Sequence, residues 1–275
     1  MDLRVSSLLS VLLCASLVLA AGCTSPSDQQ APAASPSPAA HTETPTQETA
    51  AAPHASAAIK EPIAEQLASV QSDNPVFRET YRMFRNIRST EYVHPPYTSD
   101  DTTGTYKFDC LGFVDHVLMN ATPAAYREIG NGLNPSIESY AGAFSTLDTK
   151  NLDSKNPAAP VGTKVPHPMD LKPGDVCLWL KPNTLDTGHM WIIAGEPTVN
   201  PKREDEVMVR IFDSTGTVHS DDSRTGSAWT TGLGTGILGF LTDSGGNPVG
   251  LYWEGGASTA AGEKDTTIVC GRLTR

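Results

Sequence analysis

The sequence predicts an α+β domain in which helices come first and an antiparallel sheet follows. Three observations predict it. Apolar residues at helical spacing cluster before residue 147, short strand-like segments begin at Val176, and twelve of the 23 glycines lie between 216 and 262. Helices segregated from strands along a chain argue against alternating βαβ units. Glycine-rich turns between short strands suit antiparallel connections.

The chain begins with Met1-Asp2-Leu3-Arg4, an apolar run from Val5 to Ala21, and the ending Leu19-Ala20-Ala21-Gly22-Cys23. A basic residue, a short apolar stretch and small residues before a cut site form an export signal, which is expected to be no part of the folded domain. The ending resembles the lipobox of bacterial lipoproteins, with Cys23 as the acylated residue and Ala20 where that motif usually has Leu. An ordinary signal cut near Ala21 and an uncleaved anchor are the alternatives, and all three export the protein. Residues 24–58 hold six Pro, eleven Ala and ten Ser or Thr, with no Leu, Ile, Val, Met or aromatic residue. Such a segment lacks the apolar surface to offset ordering entropy and is expected to be a disordered tether, spanning about 30–35 Å if flexible.

The expected folded part, 59–275, has 19 basic and 27 acidic residues, a net charge of −8. That balance, like the −11 of the whole chain, speaks against a nucleic-acid binder, since phosphate neutralisation needs a basic surface. The helical pattern begins with Ile63, Leu67 and Val70, and Asn74-Pro75 opens a second run through Val76, Phe77, Met83, Phe84 and Ile87. A third helix starts at Asp109, a suitable N-cap, and further helices are expected near 122–129 and 135–147. Val176–Lys181, His189–Ala194, Glu206–Asp213, Gly236–Thr242, Val249–Trp253 and Thr266–Val269 read as strands between Pro, Gly, Asn and Asp turns.

Of the five cysteines, Cys14 lies in the signal and Cys23 is the lipid candidate. Cys177 and Cys270 are candidates for one disulfide in an oxidising compartment, which leaves Cys110 as a free thiol. At a helix start, unpaired N–H groups and the dipole favour a thiolate, and the same groups suit an acyl oxyanion. A small buried core residue is the plain alternative for Cys110.

Phe108-Asp109-Cys110-Leu111-Gly112-Phe113-Val114 resembles the nucleophile motif of the NlpC family of papain-like cell-wall cysteine peptidases, where Asp-Cys-Ser-Gly-Phe-Val is typical. Leu171-Lys172-Pro173-Gly174-Asp175-Val176 resembles the turn into the first strand of that family's sheet. Thr187-Gly188-His189-Met190-Trp191 resembles the strand that opens with the catalytic histidine. The resemblance implies a papain-like fold, N-terminal helices on an antiparallel sheet, and hydrolysis of amide bonds in peptidoglycan stem peptides without a cofactor. It makes Cys110 the nucleophile and His189 the proton carrier. The third member is Asp213, with His219 as runner-up, and Asp213 is equally suited to capping a turn. Tyr97 or Tyr92 takes the place of the family's upstream tyrosine, and Trp191 is expected beside substrate, shielding the imidazole.

Leu111 departs from the motif's serine. The 79-residue interval from Cys110 to His189 is longer than usual, so residues 121–170 are expected to form a flap or added helices. His219-Ser220-Asp221-Asp222-Ser223-Arg224 reads by default as a solvated loop, and no histidine spacing suggests a metal site. Wall peptides, and a membrane through Cys23, are the partners implied, with the domain facing periplasm or exterior. A non-catalytic lipoprotein binding wall peptides or a protein partner in the same cleft is the competing reading.

Overall fold

The computed structural model describes residues 61–147, 161–181, 188–257, 262–264 and 266–274. The export signal, the Cys23 lipobox and the 24–58 tether lie outside the described residues. Five helices occur where the sequence places helical patterns: α1 (Glu61–Ala68), α2 (Pro75–Asn86), α3 (Cys110–Ala121), α4 (Pro123–Ile129) and α5 (Ile137–Thr146). In α2, Asn74 accepts the N–H groups of Val76 and Phe77, and Pro75 occupies the first turn, where a missing N–H costs nothing. Val76, Phe77, Thr80, Met83 and Phe84 form its buried stripe, and Phe84 meets the Phe212 ring 5.4 Å away. Helices α4 and α5 account for part of the long interval before His189; residues 148–160 and 182–187 of it lie outside the described residues.

A small sheet forms first, with β1 (Ser89–Tyr92) parallel to β3 (Thr105–Phe108) and β2 (Thr98–Asp100) antiparallel to β3. The large sheet comprises β4 (Gly162–Lys164), β5 (Val176–Leu180), β6 (Gly188–Ile193), β7 (Thr198–Asn200), β8 (Arg203–Thr215), β9 (Gly232–Thr242), β10 (Pro248–Tyr252), β11 (Glu263–Lys264) and β12 (Thr267–Leu273). Its order is β11-β10-β9-β8-β6-β5-β12-β4, with β7 paired to β8, and every pairing is antiparallel. Strands β10 and β12 touch although four strands separate them in that order, so the sheet curls back toward itself.

Alternation along the strands divides the interior. Leu178, Met190, Ile192 and Phe212 face the helices and join Phe84, Phe113, Val117 and Tyr140 in one core. Trp179, Trp191, Ile193, Val209 and Ile211 face the other way, into a second core with Leu238, Phe240 and Leu251 inside the curl. Cys177 and Cys270 sit directly opposite each other on β5 and β12 and are bonded as a disulfide.

Two side-chain bonds tie the small sheet to the large one and so place the start of α3. Ser214 Oγ on β8 donates to the carbonyl of Phe108 at 2.7 Å, and Leu233 N on β9 donates to Thr90 Oγ1 at 2.7 Å.

Candidate active site

Cys110 is the first residue of α3. Its N-cap, Asp109, accepts the Gly112 N–H on one carboxylate oxygen at 2.8 Å. The other oxygen accepts Tyr97 Oη–H at 2.7 Å and contacts His94 Nδ1 at 3.2 Å. Tyr97 crosses the first helical turn above Gly112, where an added Cβ would lie 2.5 Å from the ring. That is the physical need for glycine in this motif. The first-turn amides of Cys110 and Leu111 donate to no group among the described residues, so two N–H groups remain beside the thiol. Leu111 packs against the helix-side core in place of a serine hydroxyl.

His189 lies at the start of β6, opposite Trp179 on β5. Its Nε2–H donates to Asp213 Oδ2 at 2.8 Å, and Cys110 lies close enough for its charge to act on the ring. Burial pushes the imidazole pKa down, but the Cys110 charge and the hydrogen bond and charge of Asp213 outweigh it and lift the value to about 10. A proton placed on His189 is therefore held there. Cys110 is 8% exposed, His189 6% and Asp213 fully buried, so the charges interact with little water between them.

Asp213 sits near the end of β8 and binds more than one cation. His219 Nε2 donates to the same Oδ2 at 2.9 Å, and Arg224 Nη2 donates to Oδ1 at 2.9 Å. Burial alone would raise the carboxyl pKa; the charges of Arg224 and His219 and the two imidazole hydrogen bonds override it and hold the group well below its ordinary value. Arg224 also binds both oxygens of Asp222 and the carbonyl of Gly232.

The segment 219–224 is thus not the solvated loop its polarity suggests: His219, Asp222, Ser223 and Arg224 are buried. The loop folds back on β9, where Ser223 N donates to Thr235 O and Ile237 N to Ser220 O. Gly236 makes the approach possible, since a Cβ there would lie 2.6 Å from that of His219. Charges that neutralise one another can be buried where isolated ones cannot, and single-residue polarity carries no sign of that pairing.

A cleft of about 370 Å³ opens over His189, lined by Tyr92, Trp179, Thr215, Gly216, Thr217 and Trp253 among others. Of the two expected tyrosines, Tyr92 lines this cleft and Tyr97 braces the helix start. Trp191 corrects the expectation of a substrate contact. It is completely buried and offers a ligand no surface, and its ring stacks on His189 at 6.1 Å, bracing the imidazole from beneath. Trp253, which the sequence places only on a strand, also lines the cleft, 5.0 Å from the His189 ring.

His189, Asp213 and His219 bring ligand-type atoms within 4.8 Å of one another, a grouping that chain spacing does not reveal. Two imidazoles and a carboxylate are donors for zinc or non-haem iron. Here both imidazole nitrogens are committed to one carboxylate oxygen and Arg224 neutralises the other, so a cation would compete with three existing donors. Comparison of the chain with protein-family models, with curated proteins and with solved structures gives no match.

Proposed function

We propose that the protein is a thiol-dependent amide hydrolase of the cell envelope, papain-like in the manner of the NlpC family, acting on peptidoglycan stem peptides and held to a membrane by lipid on Cys23. The observation that carries this reading is the grouping of Cys110, at the start of a helix, with a His189 ring whose Nε2 is bonded to Asp213. The Cys110 thiolate attacks the amide carbon, and the N–H groups of Cys110 and Leu111 receive the oxyanion. The C–N bond breaks as His189 gives its proton to the departing amine, leaving a thioester. Water then attacks the thioester while His189 takes its proton, and the carboxylic acid leaves as the thiolate and imidazolium are restored. The substrate class rests on the motif resemblance and the export signal. The cleft supports it to the extent that its aromatic and threonine lining suits a peptide backbone.

The test uses the full chain. Iodoacetamide should label Cys110 rapidly at neutral pH, as shown by peptide mass, and purified muropeptides should be cleaved by wild type but not by Cys110→Ala. Slow labelling together with unchanged muropeptides returns the protein to the role of a binding lipoprotein. Activity that depends on added zinc and is abolished by a chelator would place a metal at the His189, Asp213 and His219 cluster instead.

A further inference from the structure

We infer that His219 is a positioning residue for the candidate catalytic pair: it donates from both ring nitrogens and holds the Asp213 carboxylate in the orientation that engages His189. The inference rests on the hydrolase reading of Cys110, His189 and Asp213. Nδ1 of His219 lies 2.8 Å from the carbonyl oxygen of Trp253, and Nε2 lies 2.9 Å from Asp213 Oδ2. A carbonyl and an ionised carboxylate only accept hydrogen bonds, so both contacts require a proton on each nitrogen. The Arg224 guanidinium on Oδ1 keeps Asp213 ionised. The His219 side chain is fully buried, away from bulk solvent.

Asp213 faces the His219 ring from β8, Asp222 and Arg224 from its own loop, and His189 from β6 across the shared oxygen. From beyond β10 come the ring and carbonyl of Trp253, and from β9 the uncharged Gly236. His219 and Arg224 then balance Asp213 and Asp222 without help from the Cys110–His189 pair. A proton passing from Cys110 to His189 moves within a pair that is neutral overall and leaves the balance behind it unchanged.

The arrangement also fixes direction. Two imidazoles on Oδ2 and a guanidinium on Oδ1 leave the carboxylate no free rotation. Trp253 stands 4.2 Å from His219 and 5.0 Å from His189, so a wall of the cleft and the buried acid share one support. His219 has no path to substrate and acts only through Asp213.

The experiment uses the full chain with ¹⁵N-labelled histidine. In a long-range ¹H–¹⁵N spectrum at neutral pH, both His219 nitrogens should show the shifts of protonated imidazolium nitrogens; a lone-pair nitrogen on His219 overturns the inference. This measurement needs no folded variant. Alongside it, His219→Ala should slow iodoacetamide labelling of Cys110 about tenfold at neutral pH, through loss of one charge-assisted hydrogen bond, and added imidazole should restore most of the rate. An unchanged rate in a folded His219→Ala protein also overturns it. If wild-type Cys110 resists iodoacetamide, the hydrolase reading fails by itself, and the spectrum still decides the state of the ring.

Discussion

Gly112→Ala should destabilise the protein, against the sign that helix propensity assigns. Replacing a helical glycine by alanine ordinarily gains about 1 kcal/mol. Here the new Cβ would stand 2.5 Å from Cε2 and Cζ of Tyr97 and 2.9 Å from Cδ2, so the ring must move. Moving it costs ~1–3 kcal/mol for the overpacked contact. It also breaks the 2.7 Å bond from Tyr97 to Asp109, a bond to a charged acceptor of the kind that contributes ~1.5–3 kcal/mol. Tyr97 is 36% exposed and can swing outward, which selects the lower part of both ranges and leaves a net loss of about 2 kcal/mol. Urea denaturation followed by tryptophan fluorescence reads this as a lower midpoint. In a Tyr97→Ala background the obstacle is gone, and the same substitution should be neutral or stabilising by up to about 1 kcal/mol. A Gly112→Ala midpoint above wild type, with Tyr97 present, refutes the account of how the α3 start is braced.

Asp213→Asn removes the charge shared by His189, His219 and Arg224 and should cost about 3 kcal/mol of stability, the lower end for breaking a buried ion pair. It should also slow Cys110 labelling at least about tenfold, because an amide N–H facing His189 Nε2 moves the ring proton to the side of the thiol; wild-type labelling in a folded variant sinks the role given to Asp213. With the His189 pKa lifted to about 10 from an ordinary ~6.5, its stabilising interactions are complete below about pH 6.5 and are lost as pH rises through the folded value. The stability gap between wild type and His189→Gln should therefore narrow from pH 6 toward pH 10, and a widening gap contradicts the ion pair. Removing the Cys177–Cys270 bridge, whose ends are 93 residues apart, by double alanine substitution should lower stability by about 3–5 kcal/mol, read from denaturation midpoints with and without reductant.

Much of the architecture was legible because its signals are local. Asn74-Pro75 and Asp109 mark helix starts by their own hydrogen-bonding habits, and the apolar runs at 176–180 and 188–193 have nowhere to go but the interior. The small sheet was not legible: Ser89–Tyr92 and Thr105–Phe108 are four residues each and pair in parallel, so neither makes sense without the other. The same limit applies to the site. Cys110, His189 and Asp213 are readable as chemistry at element ends, whereas Asp222 and Arg224 look like surface residues until each is seen to neutralise the other. Trp191 is enclosed and Trp253 reaches the cleft because strand alternation tells which residues share a face but not which of them the curled sheet encloses.

The position of β12 governs when the molecule can finish folding. The last strand in chain order lies between β5 and β4, which precede it by about a hundred residues. Until residues 267–273 have been synthesised, β5 keeps an unpaired edge and Cys177 lacks the partner that β12 carries. Helices and hairpins can form as they emerge, but the strand that pairs with the His189 strand stays half-bonded until then. The disulfide then serves as a chemical record that closure has happened: a nascent chain arrested before residue 270 should carry Cys177 as a free thiol and complete the bridge only after release.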